Sequence, residues 1–247
     1  MKMTLLEIVQ DILNDMDSDE VNSISDSVES AQVVSIIKDA YYDLINTRAW
    51  PQNYKLSTLE GVADADRPSH LKLPENVSEI EFIKYNVKES GSDDLYRKME
   101  YLTPDEFIDH VILRNSSDSN VQVVTQSEVK LNILNDQHPT YWTSFDDEYV
   151  IFDSFHSTYD TVLQQSKSLI HCLFEPSWTV SDSFIPDMPS KAFPLLLSTA
   201  KNACFIKLKQ VSDPVEQDRA RRHKTYLANN KWRHKKGTTN YPNYGRK

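Results

Sequence analysis

Apolar residues recur at helical spacing near both ends of the chain and alternate with polar ones in between. The first helical stretch opens on Thr4-Leu-Leu-Glu7, a capping box in which hydroxyl and carboxylate each satisfy an orphan backbone N–H. Leu5, Ile8, Val9, Ile12 and Leu13 then form one stripe, ending near Asp15. A polar connector, Asp17 to Ser25, leads to a second box, Asp26-Ser-Val-Glu29. The helix it starts runs to about Thr47, with Val33, Val34, Ile37, Tyr41, Leu44 and Ile45 on one side. Pro51 ends it, and two antiparallel helices are expected.

From Tyr54 the period shortens. Tyr54, Leu56 and Thr58 alternate with polar residues, as do Leu71 and Leu73, and Glu79 to Val87 reads as a further strand. Thr103-Pro-Asp-Glu106 caps a short helix to about Leu113, with proline at a first position that lacks an intrahelical partner anyway. Asn115 to Asn120 is polar punctuation. Val129 to Ile133 is a strand, Tyr141–Phe145 and Tyr149–Phe152 form a hairpin around Asp146-Asp147, and Ser168 to Phe174 is another strand. The middle of the chain is expected to be one small antiparallel sheet with one helix.

After Pro186 and Pro189 the helical period returns over Lys191 to Lys209, through Phe193, Leu196, Leu197, Ala200, Ala203, Cys204 and Ile206. Asp213-Pro-Val-Glu216 is a further capping box and starts a basic helix to about Trp232. The predicted class is α+β. Residues 1–50 and 186–236 form a helical bundle, 51–185 an inserted antiparallel β domain with one short helix, and 237–247 a basic tail that orders on binding.

Charge changes this picture. Residues 201–247 carry 13 Lys and Arg against 3 Asp and Glu, whereas residues 1–200 carry 14 against 34. The C-terminal stretch also interleaves aromatic residues. Arg219, Arg221, Arg222, Lys224, Tyr226, Trp232, Arg233, Lys235, Lys236, Tyr241 and Tyr244 are therefore the candidate contact residues. Arginine beside aromatic rings suits phosphate and base stacking, and equally suits protein interfaces. The acidic remainder repels a polyanion nearby, which favours docking or self-association over DNA binding.

Other chemistries leave little trace. The four glycines, Gly61, Gly91, Gly237 and Gly245, are too far apart to write a dinucleotide-binding or P-loop pattern. The seven histidines form no H-x-x-x-H, so no metal site is expected, and no cofactor. Asp146-Asp147-Glu148 offers carboxylates for a divalent cation, although such a run at a hairpin tip is usually a solvated turn. No G-x-S-x-G occurs, and Cys172 and Cys204 lack a nucleophile's context. They read as buried thiols, with a single bridge left open. The 37 acids offer many carboxylate pairs, whose use depends on spatial separation. The expectation is a protein that is not an enzyme, with no membrane-spanning segment, since the apolar runs are only a few residues long.

Three stretches resemble the head-to-tail adaptors (tubular tail protein A-like connectors) of short-tailed bacteriophages. The first is Arg48-Ala-Trp50-Pro-Gln-Asn-Tyr-Lys-Leu56 with Lys72-Leu-Pro-Glu-Asn-Val-Ser-Glu-Ile80. The second is His138-Pro-Thr-Tyr-Trp-Thr-Ser-Phe-Asp-Asp-Glu-Tyr-Val-Ile-Phe-Asp153. The third is Phe184-Ile-Pro-Asp-Met-Pro189 with Phe193-Pro-Leu-Leu-Leu197 and the basic helix after it. The resemblance implies a ring, usually of twelve copies, beneath a portal protein. DNA passes through its channel to a tail nozzle protein. It further implies residence in the virion at the head–tail junction, host cytoplasm during assembly, and a C-terminal segment that reaches the portal. Some related head-completion proteins are linked to cell-wall hydrolysis, for which this chain has no motif. An acidic channel wall would let DNA slide while the basic arm serves the partner. The alternative readings are a nucleic-acid-binding accessory protein that uses the C-terminal segment for phosphate contacts, and an unassigned hydrolase.

Overall fold

A computed structural model describes residues 2–47, 50–89, 91–211 and 213–229. The chain is mixed α+β, with five α-helices and several small sheets among the described residues. The described residues of Met1–Asn53 and Pro176–Lys247 gather into one compact unit, and Tyr54–Glu175 into another.

The helical unit opens with α1 (Leu5–Asp15), capped as expected. Thr4 Oγ1 accepts from Glu7 N at 3.3 Å, and Glu7 Oε2 accepts from Thr4 N at 2.7 Å. Leu5, Ile8, Val9, Ile12 and Leu13 are its buried face. The second helix, α2 (Val28–Asn46), is capped one residue later than the sequence pattern indicates. Ser27 and Ser30 form the box, exchanging N–H···Oγ bonds of 3.0 and 3.1 Å. Asp26 is engaged elsewhere, accepting from the backbone N–H groups of Asn22 and Ser23 within the connector. Ser30 wins the position because it is fully buried and its hydroxyl also reaches the Ile24 carbonyl, at 3.0 Å.

The β unit holds β1 (Tyr54–Ser57), β2 (Glu60–Gly61), β3 (His70–Lys72), β4 (Val77–Asn86), β5 (Tyr96–Lys98), β6 (Glu100–Tyr101), α3 (Pro104–Ile112), β7 (Val121–Gln126), β8 (Val129–Leu134), β9 (Tyr141–Thr143), β10 (Tyr149–Phe152) and β11 (Ser168–Phe174). Instead of the single antiparallel sheet expected from the sequence, the described residues form three. Their strand orders are β1-β11-β4-β5, β2-β3-β10-β9-β6 and β7-β8. The first two meet at buried Met99, where the chain leaves β5 and enters β6; Met99 N still donates to Ile83 O at 2.9 Å. β6 then pairs with β9 in parallel, which departs from the all-antiparallel expectation. The register of β4 against β11 shifts twice, leaving Ser78 and Glu81 as extra residues outside the strand register. The β7–β8 hairpin turns at Ser127 and Glu128, both with positive φ (47° and 72°), the pattern of a two-residue primed turn. One apolar core serves the unit, with Leu71, Ile83, Tyr85, Phe107, Phe152 and Ile170 fully enclosed.

The chain rejoins the helical unit at Pro176, so the β unit closes at Glu175 rather than at residue 185. The reason is packing: Trp178 and Phe184 lie on the helical core, Trp178 with its ring 5.3 Å from that of Tyr41. Leu5 N donates to Phe184 O at 2.7 Å, and Asp182 Oδ1 accepts from Ile24 N at 2.9 Å. Next comes α4 (Phe193–Cys204), with Pro194 in its first turn. The expected helix to Lys209 changes character after Cys204, where Phe205–Lys209 is a π-helical turn that ends on left-handed Gln210 (φ 56°). Phe205 and Leu208 pack on the core from within this wider turn. Last is α5 (Pro214–Asn229).

Both cysteines are free and buried, Cys172 in the β unit and Cys204 in the helical one. Burial pushes their thiols up to about 11 and about 12, so neither offers a ready thiolate. Among the described residues no helix is long and apolar enough to cross a membrane.

Candidate functional site

The basic C-terminal stretch divides into two parts with opposite fates. The lysines of its first part are neutralised inside the helical unit. Lys201 Nζ sits 2.7 Å from Asp11 and 2.6 Å from Asp15, with only 10% of its side chain exposed. Lys207 pairs with Asp39 at 3.4 Å, and Lys209 with Glu29 at 3.9 Å. Burial works against the Lys201 ammonium, yet the hydrogen bonds and charges of Asp11 and Asp15 outweigh it and raise its pKa. Part of the charge segregation seen along the chain is thereby cancelled in the fold: acidic N-terminal helices receive basic residues from the far end.

The second part, α5, is organised differently. Asp213 Oδ1 caps it, accepting from Val215 N at 2.9 Å and Glu216 N at 3.3 Å. Glu216 also forms an ion pair with Arg219 one turn on. Glu216, Ala220, His223 and Leu227 recur at spacings of four, three and four, which places them on one face. Glu216 and Leu227 are buried, and Ala220 packs against the helical core. The remaining face, which wraps around the rest of the helix, presents Arg219, Arg221, Arg222, Lys224 and Tyr226, all exposed. On that face Arg222 Nε donates to the Asp218 carbonyl at 3.4 Å, and Thr225 Oγ1 to that of Arg221 at 3.1 Å. The structure thus brings these five predicted contact residues onto one short helix held by its apolar edge. Trp232, Arg233, Lys235, Lys236, Tyr241 and Tyr244 lie outside the described residues.

A second surface was not legible in the sequence. The β unit contains a cleft of about 870 Å³ running between β4 and the β5–β6 segment. Its walls include Val77 to Phe82, Lys98 to Tyr101, Trp142 and Asp147. Four carboxylates (Glu79, Glu81, Glu100 and Asp147) face it against the one ammonium of Lys98. Tyr101 is 54% exposed and stands edge-on to Trp142, the ring centres 4.8 Å apart. Glu81 is bonded to His171, whose ring stacks between those of Tyr54 and Phe82. These residues come from strands far apart in sequence, and neither spacing nor composition marks them as a group.

A buried polar network ties α3 to the strands. Arg114 Nη2 meets Asp153 Oδ2 at 3.1 Å, while Arg114 Nη1 donates to the carbonyls of Asn132 and Asp153. The other oxygen of Asp153 accepts from Thr140 N and Tyr141 N, both at 2.9 Å. Every polar atom of the carboxylate is thus engaged by the fold, which makes the network structural. The acidic hairpin tip is a turn device as well: Asp146 Oδ1 accepts from Glu148 N and Tyr149 N. Among the described residues no three His, Cys, Asp or Glu side chains gather as metal ligands would.

No protein-family model and no curated protein matches the sequence. Among solved structures, the chain is similar to one in the neck of an empty GTA particle computed with C6 symmetry. The two are 10% identical, the match covers 90% of this chain and 93% of that one, and the TM-score is 0.26. A superposition at that score does not establish a shared fold.

Proposed function

We propose that this chain is a structural subunit of a virion, a head-to-tail adaptor without enzymatic activity. In this reading copies assemble into a closed ring between portal and tail nozzle, with DNA passing through the centre. The terminal helices act as the bundle and the β unit as its insertion. The observation that carries the proposal is the construction of α5. Its apolar edge is built into the core through Ala220 and Leu227, while Arg221, Arg222 and Lys224 are held out together. A basic helix fixed in this way is a pre-oriented contact surface, whereas a basic tail that only aids solubility needs no anchoring. Pre-organisation reduces the entropy lost on docking. The sequence resemblance supplies the partner, a portal ring, and a ring closes through heterologous contacts between identical copies.

The test is co-sedimentation of the full chain with a purified portal ring, comparing wild type with the triple variant R221E/R222E/K224E. The proposal expects wild type to bind and the variant not to. Equal binding by both removes α5 from the interface. Tight DNA binding with a steep loss in salt, and no affinity for the portal, would instead support the nucleic-acid reading.

A further inference from the structure

The cleft of the β unit has the chemistry of a receptor for a basic peptide, and this chain carries such a peptide. We propose that the cleft receives the C-terminal segment Lys231–Tyr244 of a second copy. The inference rests on self-assembly as argued above and adds the contact that would join neighbouring copies.

Three observations point there. The first is charge. Residues 231–244 contain four Lys and Arg and no Asp or Glu, whereas four carboxylates and one ammonium face the cleft. Each copy carries a net charge of −10, so association of like copies needs an offsetting contact of this kind. The second is backbone. β6 is the edge strand of its sheet, and β5 covers only Lys84–Asn86 of β4, so Val77–Phe82 pairs only on its β11 side among the described residues. The cleft is lined by six consecutive residues of β4 and by Lys98 to Tyr101. Neighbouring residues of a strand point to opposite faces, so a cavity touching all of them runs along the strand edge. Such an edge accepts an extended peptide through main-chain hydrogen bonds. Thr238, Thr239 and Tyr241 are residues that strands favour, and Pro242, which cannot donate, would end the pairing. The third is the aromatic wall. Exposed Tyr101, backed by Trp142, offers a ring face for a Lys or Arg side chain and an edge for Trp232 or Tyr241.

Disulfide trapping in the full chain tests this. Protein carrying Tyr101→Cys is mixed with protein carrying Tyr241→Cys; the native cysteines are buried and stay silent. Leu113→Cys, at a site 86% exposed and outside the cleft, replaces Tyr101→Cys in the control mixture. Docking raises the effective concentration of the pair, so the Tyr101 mixture should cross-link about tenfold faster or more than the control. Adding Glu79→Lys and Glu100→Lys to the cleft should erase that excess. Equal rates in both mixtures, or indifference to the charge reversal, overturn the proposal. So does a Tyr101→Cys/Tyr241→Cys double variant whose disulfides form only within single copies. The mass of the unmodified protein separates this result from the ring reading. A ring without the Tyr101 cross-link sinks the cleft contact alone, and a cross-link between copies that form no ring sinks the ring alone.

Discussion

Lys201 shows how single residues set the charge of this molecule. It lies between an exposed pair, worth at most about 1 kcal/mol, and a fully buried one, whose rupture costs about 3–5 kcal/mol. Replacing it with methionine should therefore cost about 1–3 kcal/mol, read as a lower midpoint in urea unfolding. A lysine whose pKa is raised by folding contributes stability below its unfolded value of 10.5 and loses it as pH climbs through the folded one. The difference between wild type and Lys201→Met should thus be constant from neutral pH to about 9 and shrink in stronger base. Histidine has the opposite sign. His70 and His138 have pKa values lowered chiefly by burial, and His156 nearby lowers that of His138 further. Such groups leave stability intact above the ordinary histidine value of 6.5 and reduce it as pH falls through their folded values. Unfolding midpoints should accordingly drop on acidification from pH 7, and less steeply in a His138→Phe variant. Arg114 is the costliest of these positions. Arg114→Met leaves the Asp153 carboxylate buried without its cation, a loss of about 3 kcal/mol or more, measurable by the same titration.

At the scale of elements, α5 separates anchoring from presentation, and the two can be broken independently. Leu227→Ala removes a buried side chain from the edge that holds the helix and should cost about 2–4 kcal/mol. The triple reversal R221E/R222E/K224E touches only the exposed face and should leave thermal stability nearly unchanged, while portal binding is lost. Helix starts were legible because capping boxes are local: Thr4 with Glu7 and Thr103 with Glu106 form as written. Asp26 misled because it found a better local partner in the connector turn, accepting from Asn22 N and Ser23 N. Strand β7 escaped notice because Val121–Gln126 has weak alternation and relies on its pairing with β8. The sheet count was illegible for a related reason. Whether a strand continues one sheet or crosses to another turns on a single buried residue, Met99, and alternation does not report it. The acidic cleft needs strand order before its residues become neighbours at all.

For the whole molecule, the polarity of the chain and the polarity of the fold are different things. Three of the seven described Lys and Arg residues after position 200 are spent within the helical unit on Asp11, Asp15, Asp39 and Glu29. What remains on display in the helical unit is the exposed surface of α5, and the β unit of the same chain carries an acidic cleft. An exposed basic helix and an acidic cleft on one chain supply the complementary surfaces that the proposed head-to-tail contact needs, and such contact either closes into a ring or grows without limit. The most direct measurement is native mass of the purified full chain, alone and mixed with a portal ring. The account predicts a closed multimer of defined copy number on the portal, and no such complex when R221E/R222E/K224E is introduced. A chain that stays monomeric under both conditions, and binds DNA with strong salt dependence instead, would contradict it.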